Sequence, residues 1–390
     1  MWAPTPKIGA EGLDAARLGA TRLGAERLHS LDVFRGVAIA GMILVNNPGL
    51  WRPTYAPLQH AEWDGCTPAD LIFPFFLFIV GVAVTLSFAA HDRQGESRRR
   101  LFRKVFRRTL ILFALGIVVN GFPGFDWSEI RIPGVLQRIA LCYLLASIAV
   151  LTMDLRGQVA TTLLLIIGYW VAMKVVPWPG HRSGLLKPGR NLAAYLDHAL
   201  LHGHLLRPRW DPEGILSTLS ATATTLAGVL TGRWLRAART PLVRVAGLVA
   251  AGTLCTALGL VMGHWFPINK NLWSSSYVVF TAGVALNCYA VCYWVVDIWQ
   301  YRRWTMPFVI YGTNAILAYL LSTLMEKLLI LWKVARPDGS MVSVHHYLVE
   351  GLLLPFLSPI NASLAYAVAS VLFWLGIMTV LYRRRIFLKI

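Results

Sequence analysis

A polar cluster between two long apolar segments is the part of the chain best suited to chemistry. Residues 44–82 read LVNNPGLWRPTYAPLQHAEWDGCTPADLIFPFFLFIVGV. The polar and ionisable members of this cluster are Asn46, Asn47, His60, Glu62, Asp64 and Asp70. Such groups at membrane depth are costly and therefore mark a functional site. We expect the chemistry of the protein to lie here.

His60 is the candidate catalyst of the cluster, because carboxylates follow it closely. A carboxylate that pairs with an imidazole orients the ring and raises its basicity, which suits a general base. The same imidazole can act as a nucleophile that carries an acyl group. The alternative is a histidine with ordinary partners at a membrane interface. Asp70 begins the next apolar segment, and either supports that helix start or pairs with His60.

Asn46 and Asn47 end the first apolar segment. An asparagine amide can donate a hydrogen bond to a developing oxyanion. The two asparagines are also followed by Pro48 and Gly49, which is ordinary chemistry for ending a helix. The pair alone does not decide between these interpretations.

Polar groups elsewhere in the apolar segments are candidates for binding substrate or cofactor. Arg35 either pairs with Asp32, one helical turn earlier, or contacts a ligand. Lys270 precedes a later apolar segment, Ser275 begins it, and Asn314 lies inside the segment after that. All four are predicted binding residues, with Asp32 as a structural partner.

Gln137 and Arg138 lie together in RIPGVLQRIALCY, close to the start of another apolar segment. A buried arginine must be paired. The sequence predicts that Arg138 pairs with Asp70 or Asp64, and that Gln137 and Arg138 help to bind substrate or cofactor.

The elements that must position these residues are membrane helices. The chain is 56% hydrophobic and 14% charged, with a mean hydropathy of +0.56. Its apolar runs reach the roughly 20 residues that cross a bilayer. We predict an all-α, polytopic bundle of about ten transmembrane helices. The predicted spans are 32–49, 69–90, 107–121, 133–152, 157–177, 214–235, 242–263, 273–298, 305–332 and 363–382.

The distribution of basic residues predicts the orientation. With both termini in the cytoplasm, cytoplasmic segments hold 23 Lys and Arg and the opposite face holds 10. This excess follows the positive-inside rule and places His60 at the outer face. Residues 1–29 are then a cytoplasmic tail without a signal-peptide pattern. Residues 30–390 form the transmembrane domain, with a long outer loop at about 178–213.

The net charge of +18 does not indicate nucleic-acid binding, because the basic residues cluster in short loops and no soluble basic domain carries them. Eight of them fall within 93–108, where they either contact anionic lipid or bind a phosphorylated cofactor. Cys288 and Cys292 share a helix face but have no neighbouring histidine or carboxylate at ligand spacing, and no metal site is predicted. No phosphate-binding loop or serine-hydrolase elbow is present.

Several segments together resemble the heparan-α-glucosaminide N-acetyltransferase family and its bacterial homologues. They extend from residue 30 to residue 390. The segments are SLDVFRG, LVNNPG, PLQHAEWDGCTPADLIFPFFLFIVG, RIPGVLQRIALCY, DPEGILSTLSA, FPINKNLWSSSYVVFTAG and YRRRIFLKI.

The resemblance implies that an acetyl group moves from cytosolic acetyl-CoA to a glucosamine amine across the membrane. It implies catalytic roles for His60, Asn46 and Asp70, and a homodimer in the bilayer. The human-type enzyme has a further luminal domain before the first span, whereas this sequence has only the short tail of residues 1–29 there. We therefore expect a bacterial inner-membrane protein whose acceptor is an amino sugar or a glucosamine-containing glycan.

Two alternatives remain at this stage. Some bacterial relatives are described as N-acetylglucosamine transporters, although the sequence has no evident inverted repeat. A structural or signalling role would leave the polar cluster unexplained. Within the acetyltransferase hypothesis, a ternary-complex route and an acetyl-histidine route are both open.

Overall fold

The computed structural model describes residues 28–336 and 339–388. The predicted tail, residues 1–29, lies almost wholly outside the described residues. Within them the chain is a bundle of helices joined by loops, with one short hairpin. The helices are α1 His29–Asn46, α2 Pro68–Arg93, α3 Arg98–Gly121, α4 Val135–Thr152, α5 Leu155–Val175, α6 Leu192–Leu201, α7 Ile215–Arg236, α8 Pro241–Met262, α9 Ser275–Tyr293, α10 Met306–Thr313, α11 Ala315–Leu331, α12 Val344–Leu352 and α13 Pro359–Arg383.

Each predicted span overlaps a helix, and the ninth is a pair, α10 and α11, bent by 82°. Among the described residues, seven helices are long and apolar enough to cross a membrane, or eight if the bent pair is one span. The helices α1 and α3 fall outside this set, since α1 carries Asp32 and Arg35 and the first half of α3 is basic. The protein is a helical membrane protein; ten crossings and cytoplasmic termini stay predictions.

Two connections contain more regular structure than the sequence indicated. The predicted outer loop contains α6, a helix of ten residues. Residues 344–360, which lie between the last two predicted spans, begin with α12 and follow an antiparallel hairpin. Its strands, β1 Lys333–Ala335 and β2 Met341–Ser343, pair with Val334 opposite Val342. This hairpin is a small departure from the predicted all-α fold.

Helices α2 and α7 form the centre of the bundle, and α5, α8 and α13 form its periphery. The most apolar windows of α2 and α7 are 61% and 72% buried, whereas those of α5, α8 and α13 are 22%, 22% and 17% buried. Because apolar side chains on these outer helices remain exposed, they form a surface suited to lipid.

Glycines let the central helices approach to backbone contact. A Cβ on Gly81 of α2 would overlap the carbonyl oxygen of Thr225, and one on Gly228 of α7 would overlap that of Phe78. Small residues at membrane helix crossings allow this packing. The crossing fixes α2, and therefore the polar residues at its first turn.

We predict that Gly228→Ala lowers the free energy of unfolding by about 2 kcal/mol, since overpacking a tight contact costs about 1–3 kcal/mol. The matched control is Gly168→Ala in α5, where an added Cβ meets no atom within 4 Å. There alanine should stabilise the helix by about 0.5–1 kcal/mol. Thermal unfolding of both variants in detergent checks the prediction, and equal midpoints would contradict it.

Candidate active site

The carboxylate of Asp70 anchors the candidate site. Asp70 is the third residue of α2, and Thr67 caps the start of that helix. Asp70 Oδ2 accepts hydrogen bonds from the backbone N–H groups of Ala61 and Thr67 and from the Thr67 hydroxyl, at 3.0, 3.1 and 3.1 Å. Asp70 is only 1% exposed. These bonds fold the His60 loop onto the helix start.

His60 pairs with the other oxygen of that carboxylate. The distance from His60 Nδ1 to Asp70 Oδ1 is 2.7 Å. An ionised carboxylate can only accept, so Nδ1 donates and Nε2 keeps its lone pair. The ring is half-exposed. This arrangement suits a general base or a nucleophile, with Asp70 as the partner that fixes the ring.

Lys270 joins the pair from a loop 200 residues further along the chain. Its Nζ atom lies 3.0 Å from His60 Nδ1, 3.3 Å from His60 Nε2 and 3.3 Å from Asp70 Oδ1. Burial lowers the pKa of the Lys270 ammonium below its usual value, and the charge of Asp70 opposes this shift. The result is a cluster of Asp70, His60 and Lys270, with the amine over the imidazole ring and slightly nearer to Nδ1 than to Nε2.

Asp64 holds the Lys270 loop in place. Asn269 Nδ2 donates to Asp64 Oδ1 at 3.0 Å, and the Gly65 N–H donates to the Ile268 carbonyl at 2.7 Å. Asp64 therefore supports the site through the backbone next to Lys270. Cys66 lies in the same region, where burial raises the pKa of its thiol to about 12. A thiol that is so hard to ionise is a poor nucleophile.

The cluster faces a cavity of about 280 Å³. Asn46, at the end of α1, lines this cavity together with His60, Asp70 and Lys270. Arg131 and Glu213 also line the cavity, although they were not among the residues predicted from the sequence. The lining residues together provide a base, amide and cationic donors, and a second carboxylate around one cavity.

Arg131 closes one side of this cavity through an ion-pair network. Its Nε and Nη2 atoms donate to both oxygens of Asp211, at 2.8 and 2.6 Å, and it also pairs with Glu213. The Asp211 side chain is fully buried and accepts the N–H groups of Leu206 and Glu213. The signal in the sequence was the motif Asp-Pro-Glu at the end of the long loop.

A second, larger cavity of about 480 Å³ lies on the other side of His60. Asn46 and His60 line both cavities and so form their shared wall. The larger cavity adds Trp51, Gln59 and Arg207 to the lining. Trp51 is 67% exposed, and an exposed indole beside polar groups is suited to stacking on a ligand ring.

A third cavity, of about 350 Å³, opens toward the opposite end of the bundle, which we call the basic end because the basic run 93–108 lies there. Arg35 and Arg108 line it. The Arg35 guanidinium donates to the Gly312 carbonyl at 3.2 Å and pairs with Asp32 at 3.3 Å. The Arg108 guanidinium lies 4.8 Å from the Tyr143 ring centroid.

One helical turn separates this basic-end cavity from the His60 cavity. On α2, Phe73 lines the His60 cavity and Phe76 lines the basic-end cavity. On α4, Val135 lines the His60 cavity and Ile139 lines the basic-end cavity. At a rise of about 1.5 Å per residue, the two linings are about 4.5–6 Å apart along the helices.

Asn314 lies next to the basic-end cavity, between the lining residues Thr313 and Ala315, and not in the His60 site. Its side-chain amide donates to the Ile386 carbonyl at 3.0 Å and accepts the Leu388 N–H at 3.1 Å. Leu388 lines the basic-end cavity. Asn314, at the bend between α10 and α11, thus fixes the C-terminal segment against that cavity.

The remaining predicted binding residues lie away from the linings of the three cavities. Asn47 is buried and donates to the Ile43 carbonyl at 2.7 Å, at the end of α1. Gln137 is buried beside Gly116 and Gly134. Ser275 donates to the Ile166 carbonyl at 2.7 Å.

The predicted pairing of Arg138 with Asp70 or Asp64 is wrong, because Arg138 has other partners. Its guanidinium contacts Ser217 Oγ at 2.5 Å and the Gly214 carbonyl at 3.3 Å, and it lies 4.9 Å from the Trp273 ring centroid. These partners lie at the start of α7 and just before α9. Helix α4 packs against α7, and the Asp70 carboxylate already accepts hydrogen bonds from nearer donors.

Fold and site together define a helical membrane protein with a histidine–carboxylate pair above a second cavity reached from the opposite end of the bundle. A family model described as "Heparan-alpha-glucosaminide N-acetyltransferase, catalytic" matches residues 27–195. The chain is 31% identical to heparan-alpha-glucosaminide N-acetyltransferase of Homo sapiens and 29% identical to that of Mus musculus. Each alignment covers 93% of this chain and 60% of the relative.

These similarities support membership of the heparan-α-glucosaminide N-acetyltransferase family. The chain spans about 60% of the length of these two relatives.

We predict that Arg131→Met lowers the free energy of unfolding by about 3–5 kcal/mol, because it leaves the buried Asp211 charge without its partner. The matched control is Arg52→Met, which breaks the exposed pair of Arg52 with Glu62. That change should cost about 0–1 kcal/mol. Thermal unfolding compares the two variants, and a similar small loss in both would contradict a buried network.

Proposed function

We propose that this protein is a membrane acetyltransferase. In this proposal acetyl-CoA enters from the cytoplasm, and the acetyl group is transferred to the amine of an amino sugar or a glucosamine-containing glycan at the outer face. The observation that carries the proposal is that two cavities approach each other from opposite ends of the bundle. His60 lines one of them, and only one turn of α2 and α4 separates it from the other. Similarity to the family supports the same reaction.

The basic-end cavity suits the donor. Coenzyme A carries phosphates on one part and a thin, largely apolar arm on the other. Arg35 and Arg108 offer guanidinium groups to phosphate oxygens, which they bind well. The arm would extend along Phe76 and Ile139 toward Phe73, so that the thioester reaches His60 and Asn46.

The acceptor would reach His60 from the larger cavity, of about 480 Å³. Trp51 offers an aromatic face to a sugar ring, and Gln59 and Arg207 offer donors to its hydroxyl oxygens. Asn46 and His60 line both spaces, so amine and thioester would meet across these two side chains.

In the chemical step, His60 Nε2 takes the proton of the attacking amine. Asp70 holds Nδ1–H, keeps the ring oriented and stabilises the imidazolium that forms. Asn46 donates to the oxygen of the tetrahedral intermediate. The carbon–sulfur bond then breaks, and the thiolate takes a proton from the imidazolium.

Two routes use the same residues. In a ternary complex the amine attacks the thioester directly. In the other route His60 first accepts the acetyl group and then passes it to the amine. We further propose a bacterial inner-membrane location, with the His60 end facing outward, and a homodimer.

Transport of N-acetylglucosamine or a related amino sugar is the competing hypothesis. It requires a passage wide enough for a sugar, whereas the phenylalanines of α2 separate the two cavities. Saturable sugar flux into proteoliposomes without acetyl-CoA would favour transport over acetyl transfer.

We predict that His60→Ala lowers kcat for glucosamine acetylation by about 10²–10⁴-fold, the contribution typical of a general base. The control is His264→Ala, an exposed histidine in another loop. Acetyl-CoA-dependent turnover is measured for wild type and both variants across several amino sugars. Unchanged turnover in His60→Ala would remove the proposed mechanism.

We predict that Arg108→Ala raises KM for acetyl-CoA by about tenfold or more, since a hydrogen bond to a charged group contributes about 1.5–3 kcal/mol. Its neighbour Arg107 is exposed and does not line the cavity, so Arg107→Ala should change KM little. Equal effects of the two variants would instead indicate that the basic run acts only through anionic lipid.

A further inference from the structure

Lys270 places a primary amine inside the proposed transfer site. Its Nζ lies 3.0 Å from His60 Nδ1 and 3.3 Å from His60 Nε2, and its side chain lines the same cavity as Asn46. The reacting group of the proposed acceptor is also a primary amine. The proposed mechanism gives Lys270 no chemical step, although its amine lies next to the base.

The loop around Lys270 is held firmly. Asn269 accepts the Leu272 N–H at 2.8 Å and donates to Asp64, while its own N–H donates to Ser274 Oγ at 3.0 Å. Trp273 has a φ of 50°, an unusual conformation for a bulky residue, and is 1% exposed. These contacts keep the amine next to His60.

The amine also has a route to its reactive, neutral form. Asp70 is already bound by four nearer donors, from His60, Ala61 and Thr67, so its contact with Lys270 at 3.3 Å is the longest of the set. Burial disfavours the ammonium. The Lys270 side chain is 20% exposed, so the ammonium can release its proton to water and leave His60 Nε2 free for the transfer step.

We propose that Lys270 is an acetylation site of the protein itself. When acetyl-CoA fills the donor cavity and no acceptor is bound, the Lys270 amine takes the place of the acceptor. This inference rests on the proposed function, since it uses the same donor and the same base.

The step balances as an ordinary acyl transfer. The Nζ lone pair attacks the thioester carbonyl carbon, and a carbon–nitrogen bond forms. His60 Nε2 takes a proton from Nζ, the carbon–sulfur bond breaks, and the thiolate receives that proton. The products are Nε-acetyl-lysine and the coenzyme A thiol, with no oxidant, reductant or metal.

Acetylation of Lys270 would inactivate the site. It removes a positive charge 3.3 Å from Asp70 and adds an acetyl group to a cavity of about 280 Å³ that must receive the donor. An amide is a poor leaving group, so the acetyl group would not pass on to a sugar. A bound acceptor would protect the enzyme by occupying the position in front of His60.

The test is peptide mass spectrometry of the full chain in detergent after incubation with acetyl-CoA alone. We expect Lys270 to gain one acetyl group that survives hydroxylamine, which would remove an acetyl group from His60. His60→Gln should slow the labelling by about 10²-fold or more, as loss of a general base does. Glucosamine added with acetyl-CoA should suppress it.

Lys187 is the internal control for unassisted chemical acetylation, because it is exposed in the outer loop. Turnover of glucosamine, measured in the same samples, separates the two claims. If glucosamine is acetylated while Lys270 is labelled no faster than Lys187, the inference is wrong and the proposed function stands. If neither is acetylated, the proposed function fails as well.

Discussion

The carboxylate of Asp70 supports two structures at once. One oxygen accepts the donors that begin α2 and fold back the loop before it, and the other oxygen holds His60. The helix start and the orientation of the imidazole therefore depend on one buried charge. Charge-assisted hydrogen bonds of this kind are stronger than neutral ones, which explains how a loop at the surface of a membrane protein can be held well enough for chemistry.

The position of that carboxylate depends in turn on how closely the helices pack. Gly81 and Gly228 bring α2 and α7 to backbone contact, and Gly36 and Gly312 do the same for α1 and α10. The ends of α1 and α2 supply Asn46 and Asp70, so the separation of these two side chains is set by crossings deep in the bundle. Site and packing are parts of one arrangement.

The sequence predicted what was local and missed what was distant. His60 and Asp70 are ten residues apart at a recognisable helix start, and their pairing was anticipated. Asp211 and Glu213 are the partners of Arg131, but they follow it by 80 and 82 residues, after a long loop. No periodicity in the sequence connects them with Arg131. Whether a polar residue faces a cavity or satisfies a neighbouring helix also depends on packing. For that reason Asn47 and Arg138 have structural partners, although their residue types suit ligand binding equally well.

The thin apolar partition between the two cavities has a consequence for the membrane as an electrical barrier. Phe73 and Phe76 on α2, with Val135 and Ile139 on α4, separate spaces that open toward opposite ends of the bundle. Apolar side chains exclude water and ions, so the partition can remain sealed while a narrow arm reaches across it. In the proposed reaction only a two-carbon unit changes sides. The cell could then modify a sugar outside its membrane without opening a path through which protons or salt would discharge the membrane potential.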